Sequence, residues 1–149
     1  MTTVVGEDPL IGYSFAVDLS GKAVGYFTEV SGIGSESEVA EQKVTDPSGR
    51  DVIKKIPGRL KFTDITLKRG ITSNMDFYNW RKAVEDGQIQ AARVNATITM
   101  YNVMGAAVAR WNLENAWPTK ISGPSINSGS SEVGIEELTI TYDYMERAQ

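Results

Sequence analysis

The stretch WNLENAWPTKISGPSINSGSSEVGIEEL, Trp111 to Leu138, decides the fold class. It opens on a strand pattern, Trp111 and Leu113 sharing one face against Arg110, Asn112 and Glu114 on the other, and Pro118 ends its regular ladder pairing. From Gly123 to Ser131 a proline, an asparagine and several serines make a turn-rich crossover, and strand character resumes at Glu132. Two extended segments around a polar turn, in a chain with no His and no Cys, describe architecture rather than catalysis.

Working outward, Val108 to Trp117 finds its partner in Arg93 to Tyr101, where Val94, Ala96, Ile98 and Met100 face in and Asn95, Thr97 and Thr99 face out. Asn102 to Ala106 turns one into the other. Glu132 to Glu146 predicts one long final strand whose apolar phase changes from Val133 and Ile135 to Leu138, Ile140, Tyr142 and Tyr144. Near the start, Tyr13, Phe15, Val17 and Leu19 alternate with Ser14, Ala16 and Asp18, Ser20 and Gly21 turn, and Lys22 to Val30 returns. Ser31 to Gly34 is a small-residue corner. Arg59 to Arg69 reads as a strand whose phase slips between Leu60 and Phe62 and the following Ile65 and Leu67, which a bulge near Thr63 and Asp64 would reconcile.

One helix is expected over Ile71 to Gly87: Ser73 as N-cap, Asp76 three residues on, a Phe77, Trp80 and Val84 stripe, and Gly87 as the stop. Phe77, Trp80 and Trp111 are expected in the core, and Trp117 in the core or at a rim. Six or more strands with one helix give an α+β, mainly β class, an antiparallel sandwich or small barrel, in one domain over residues 1–149.

Two segments fit a sandwich poorly. Ser35 to Val44 alternates among polar groups on both sides, Glu36, Glu38, Ala40 and Gln42 against Ser37, Val39, Glu41 and Lys43. Such a strand is either the wall of a water-filled channel or an edge strand whose charges block aggregation. Thr45 to Gly58 holds two turn signals, Asp46-Pro47-Ser48-Gly49 and Ile56-Pro57-Gly58, and predicts a projecting loop or hairpin tip that binds or moves.

Composition removes whole classes of function. A chain of 149 residues buries roughly two-thirds of its unfolded surface without a staple. Lacking Cys it has no disulfide or thiolate metal site, and lacking His it misses the usual metal ligand and neutral-pH proton carrier. A formal charge of −4 argues against a nucleic-acid footprint. The first ten residues carry neither the basic region nor the apolar core of a secretion signal, and no run approaches the roughly 18 apolar residues of a membrane helix. Gly32-Ile33-Gly34 lacks the third glycine and the helix of a phosphate loop. Glu36 with Glu38, Glu136 with Glu137, and Ser48 have no partner that would make them an acid–base pair or an activated nucleophile. Arg50, Lys54, Lys55, Arg59 and Lys61 are diluted by Asp46 and Asp51, and read as contacts to an acidic protein surface or as a solvated face. No enzymatic activity, metal or cofactor is expected.

Taken in order, Tyr13-Ser14-Phe15-Ala16-Val17, Glu29-Val30-Ser31-Gly32-Ile33, Pro57-Gly58, Ile65-Thr66-Leu67-Lys68-Arg69-Gly70, the Trp80 helix, Trp111-Asn112-Leu113, Asn115-Ala116-Trp117-Pro118, Ser131-Glu132-Val133 and Glu136-Glu137-Leu138 resemble the tail-tube protein family. That family forms the inner tubes of contractile phage tails and of extracellular contractile injection systems. The resemblance implies two antiparallel sheets in a small barrel or sandwich with one flanking helix. It also implies homo-hexameric rings stacked into a hollow tube, driven forward by a contracting sheath. The implied partners are the sheath protein, baseplate or tube-initiator and terminator proteins, and cargo, DNA or a tape-measure protein in the lumen. Assembly is expected in the bacterial cytoplasm, within a particle that is released. On this resemblance Asp46, Pro47, Ser48, Gly49, Arg50, Asp51, Lys54, Lys55 and Pro57 are expected at contacts between subunits, and Glu36, Glu38 and Gln42 toward the lumen. The alternatives are a ring-forming secreted carrier like the type VI secretion tube protein, and a tube-initiator paralogue at the baseplate end.

Overall fold

The computed structural model describes residues 14–21, 23–71, 73–123 and 134–149. Tyr13, Lys22, the crossover after Gly123 and the Ser131-Glu132-Val133 block lie outside them. The described chain divides into two compact units, one formed by the segments up to Ile33 and from Asp64 onward, the other by Gly34–Thr63.

The first unit is organised by a single long strand, β8 (Ala107–Ser122). Its first half pairs antiparallel with β7 (Val94–Tyr101) on one side and with β10 (Tyr144–Arg147) on the other. Its second half pairs with β9 (Ile135–Thr141). Beyond β7 lies β1 (Ser14–Leu19) and then β2 (Val24–Phe27); beyond β9 lies β6 (Ile65–Gly70) and then β3 (Glu29–Ser31). Two antiparallel sheets therefore share β8. The path ends at β2 and β3 without a ladder between them, which makes an open sandwich rather than a closed barrel.

Two strands expected to be continuous are divided between ladders, while the phase slip from Ile135 to Leu138 lies inside β9, where Ile135 is exposed and Leu138 and Ile140 are buried. The expected return strand Lys22 to Val30 is split at Thr28, β2 belonging to one sheet and β3 to the other. The expected final strand is split at Tyr142 and Asp143 into β9 and β10. Pro118 does not end β8. The ladder changes partner from Val94, opposite Ala116, to Thr141, opposite Trp117, and an irregularity between Pro118 and Lys120 takes up the missing N–H. Just before this point Asn115 has φ 55°, at an irregularity where two residues of β8, Glu114 and Asn115, stand against one of β7, Asn95. That is a bulge held in the left-handed region, and asparagine is among the few residues that enter it readily. Its side chain bonds Asp143 at 2.9 Å, and its N–H donates to Asn95 Oδ1 at 3.2 Å.

The core is the inward set of both sheets, with Val17, Leu19, Phe27, Ile65, Leu67, Ile98, Leu113, Leu138 and Ile140 all buried. Helix α1 (Asp76–Glu85) adds Phe77 and Trp80. The Phe77 ring meets Phe27 edge-on at 5.3 Å and packs against Gly25 so closely that no Cβ fits there. The indole of Trp80 donates to the Ala92 carbonyl at 2.6 Å, in a second short helix, α2 (Ile89–Ala92), that periodicity did not reveal. Ser73 is not the cap: the Asn74 side chain accepts from the Asp76 N–H at 2.8 Å, and Met75 precedes the first turn. Gly87, at φ 83°, closes α1 as expected, with Gln88 N–H on Ala83 and Gly87 N–H on Val84. Trp111 is only half-buried, its ring 5.8 Å from the Arg147 guanidinium, and Trp117 is also half-buried.

Candidate assembly interface

The second unit is a two-stranded hairpin, β4 (Ser35–Thr45) and β5 (Asp51–Phe62). The expected projecting loop over 45–58 resolves into a tight turn, Asp46–Arg50, followed by strand. Pro57 and Gly58 signalled a turn, yet Pro57 lies opposite Val39 next to a register irregularity. In a two-stranded sheet each strand has an open side, so a proline is accommodated there. The expected bulge near Thr63 and Asp64 is instead the break between β5 and β6, where the chain passes from one unit to the other.

Asp46 builds the turn. Its Oδ1 accepts from the Ser48 N–H at 2.9 Å, the Ser48 hydroxyl at 2.6 Å and the Arg50 N–H at 2.9 Å, and its Oδ2 accepts from Arg50 Nε at 2.9 Å. Gly49 supplies the φ of 89° that lets the chain reverse. The Ser48 hydroxyl first, and then the Arg50 N–H, hold the Asp46 carboxyl below its ordinary range.

All the candidate residues fall in this hairpin. Asp46, Pro47, Ser48, Gly49 and Arg50 form the turn, and Asp51, Lys54, Lys55 and Pro57 lie along β5. The register puts Glu36, Ala40, Gln42 and Val44 on one face, opposite Lys61, Ile56, Lys54 and Val52, and alternation adds Glu38 to that face. The other face holds Ser37, Val39, Glu41 and Lys43 opposite Leu60, Pro57, Lys55 and Ile53. There Val39 is 62% exposed, Ile53 55% and Leu60 53%, apolar side chains in water interrupted by the Glu41–Lys55 pair, which the polar composition of the segment concealed.

The first unit has one notable concavity, a shallow groove of about 460 Å³ lined by Asp18, Asn95, Thr97, Asn112, Glu114 and Glu146, among others. The Ser20 hydroxyl at its edge donates to the Asn95 carbonyl. Among the described residues no group of three or more acidic side chains is placed to hold a metal ion, and no helix is long and apolar enough to cross a membrane.

Residues 12–146 match the family described as T4-like virus tail tube protein gp19. The chain belongs to the tail tube family. As a member it is a structural tube protein, and solved structures show the same fold. A chain of the extended sheath–tube complex of PVC, an extracellular contractile injection system, aligns at TM-score 0.73 and 23% identity over 99% of this chain and 98% of its own. One from the tube-terminating cap of the anti-feeding prophage AFP aligns at 0.69 and 26% identity, over 89% of this chain and 86% of its own. Hcp1 from Flavobacterium johnsoniae shares the fold at 0.54 and 14% identity, over 90% of this chain and 94% of its own. No curated protein matches the tail tube sequence described here.

Proposed function

We propose that this tail tube protein forms six-membered rings through its β4–β5 hairpin and that the rings stack into the hollow inner tube of a contractile injection particle. One observation carries the proposal: strands of 11 and 12 residues are exposed on both faces and open along both edges. A lone two-stranded hairpin is at best marginally stable in water, and its unpaired N–H and C=O rows are satisfied when another strand lies beside them. A head-to-tail contact that closes gives a ring, and a second contact that does not close gives a filament. The face with Val39, Ile53 and Leu60 is the one covered on assembly, and the face with Glu36, Glu38 and Gln42 looks into the water-filled lumen. The turn Asp46–Arg50 meets a neighbouring subunit.

A sheath encloses the tube, initiator and terminator proteins bound its ends, and cargo, DNA or a tape-measure protein occupies the lumen. Assembly takes place in the bacterial cytoplasm, and the protein acts structurally, without turnover. The PVC and AFP neighbours, drawn from sheath–tube and cap assemblies, support this setting. Negative-stain electron microscopy over a concentration and salt series tests it. Hollow six-fold rings that lengthen into tubes are expected. Rings that never stack would point to the carrier type of the secretion-tube relatives, and monomers under all conditions, including co-expression with sheath and initiator, would overturn the proposal.

A further inference from the structure

The hairpin carries its charge in an ordered way. Strand β4 bears Glu36, Glu38 and Glu41 against a single Lys43. Strand β5 bears Lys54, Lys55, Arg59 and Lys61 against a single Asp51 beside the turn. All of these side chains are exposed. Register places Glu36 opposite Lys61 and Glu41 opposite Lys55, yet among the described residues no ion pair joins β4 to β5; the one ion pair in the hairpin is Arg50 to Asp46 in the turn. The charges are free to meet another chain, and each strand has one open edge to which a third strand can add.

Geometry alone permits three additions. A copy can place its β5 beside β4, which continues the antiparallel alternation around a ring. Two copies can instead pair β4 to β4 or β5 to β5 about a two-fold axis, which ends growth at a dimer along that edge. Opposite charges directly across a strand pair stabilise it, and like charges destabilise it by a similar amount. The two like-edge arrangements therefore bring a mainly acidic strand beside its own copy, or a mainly basic strand beside its own copy, whereas the unlike arrangement sets the acidic edge against the basic one.

We propose that the segregated charge on the two hairpin edges directs copies of this chain to pair in one order only, the acidic β4 edge of one copy beside the basic β5 edge of the next. The proposal rests on the tube-subunit reading and adds to it the device that selects an open, ring-forming order over closed pairs. Specificity of this kind comes as much from the repulsion built into wrong arrangements as from the attraction in the right one.

The test uses two full-length variants. One reverses the acidic edge with Glu36→Lys, Glu38→Lys and Glu41→Lys; the other reverses the basic edge with Lys54→Glu, Lys55→Glu and Lys61→Glu. Each variant alone brings like charges together both within its own hairpin and between copies, so each is expected to lose ring formation by about tenfold or more in the concentration required. Mixing them in equal amounts leaves the repulsion within each hairpin untouched and restores complementarity only between unlike copies. Recovery of rings on mixing, with equal copy numbers of the two variants by native mass spectrometry, is the expected result. A milder pair, Glu38→Lys and Arg59→Glu, repeats the experiment with one charge reversed in each chain. If single variants assemble as the unaltered protein does, or if neither mixture recovers rings, edge charge does not set the order. Absence of rings from the unaltered protein, co-expression with sheath and initiator included, would instead overturn the ring-forming proposal on which this one rests.

Discussion

Arg69 carries a full positive charge in the core of the sandwich, 5% exposed. It is tolerated because its Nε donates to Glu136 Oε2 at 3.1 Å across the β6–β9 ladder, and its guanidinium lies 5.0 Å from the Phe27 ring and 5.2 Å from the Phe77 ring. Two π faces and a carboxylate replace the water it gives up. Removing one partner of such a pair strands the other: Glu136→Ala is expected to cost about 3–5 kcal/mol. The double change Arg69→Met with Glu136→Leu removes both charges and should cost less than that single change. Urea unfolding midpoints of the two variants check the order. Parity along β6 places Arg69 inward with Ile65 and Leu67, so the position was legible in the sequence; its partner was not, because alternation says nothing about which strand lies alongside. Asn115 opens the Asn115-Ala116-Trp117-Pro118 block that resembles the family, and its left-handed bulge gives that block a physical reason.

Among the elements, the strands and α1 were legible from periodicity, and the connections between strands were not. At Thr63–Asp64 the apolar phase slipped, and a bulge within one strand and a break between two strands leave the same trace there; Thr28 and Tyr142–Asp143 divide strands that periodicity ran together. The hairpin shows the opposite failure, since Pro57-Gly58 looked like a turn but lies within β5. The candidate interface residues share one hairpin because Asp46 to Gly49 reverses the chain between β4 and β5. Replacing Asp46 with Ala removes the acceptor for Ser48 and Arg50, and is expected to speed amide exchange from Ser48 to Arg50 while leaving the unfolding midpoint of the sandwich unchanged. Because the folded carboxyl is held below its ordinary range, the turn is fully ordered above that range and loosens as pH falls through the depressed value. Amide exchange at Ser48, followed down a pH series and corrected for its intrinsic rate, reads both effects.

At the scale of the whole molecule, alkaline conditions probe the packing. Burial first, and the charge of Asp64 second, push the Tyr142 hydroxyl up to about 12. An unfolded tyrosine ionises near 10, so between about 10 and 12 the unfolded chain gives up a proton that the folded chain keeps, and stability falls as pH rises across that window. Below it Tyr142 contributes no slope. Tyr142→Phe is expected to flatten this part of the curve, measured as the difference in melting temperature between the two proteins from pH 9 to pH 12.

The pairing of distant segments around β8 also sets a tempo. Ser14–Leu19 waits for Val94–Tyr101, and Ile65–Gly70 for Ile135–Thr141, so the sandwich closes only after long stretches of chain have met. Topologies of this kind fold in roughly milliseconds to seconds, whereas a local hairpin such as β4–β5 zips in about 1–10 μs. The sticky edges of this protein are thus presented early, on a chain whose body is still forming, and crowded nascent copies meet edge first.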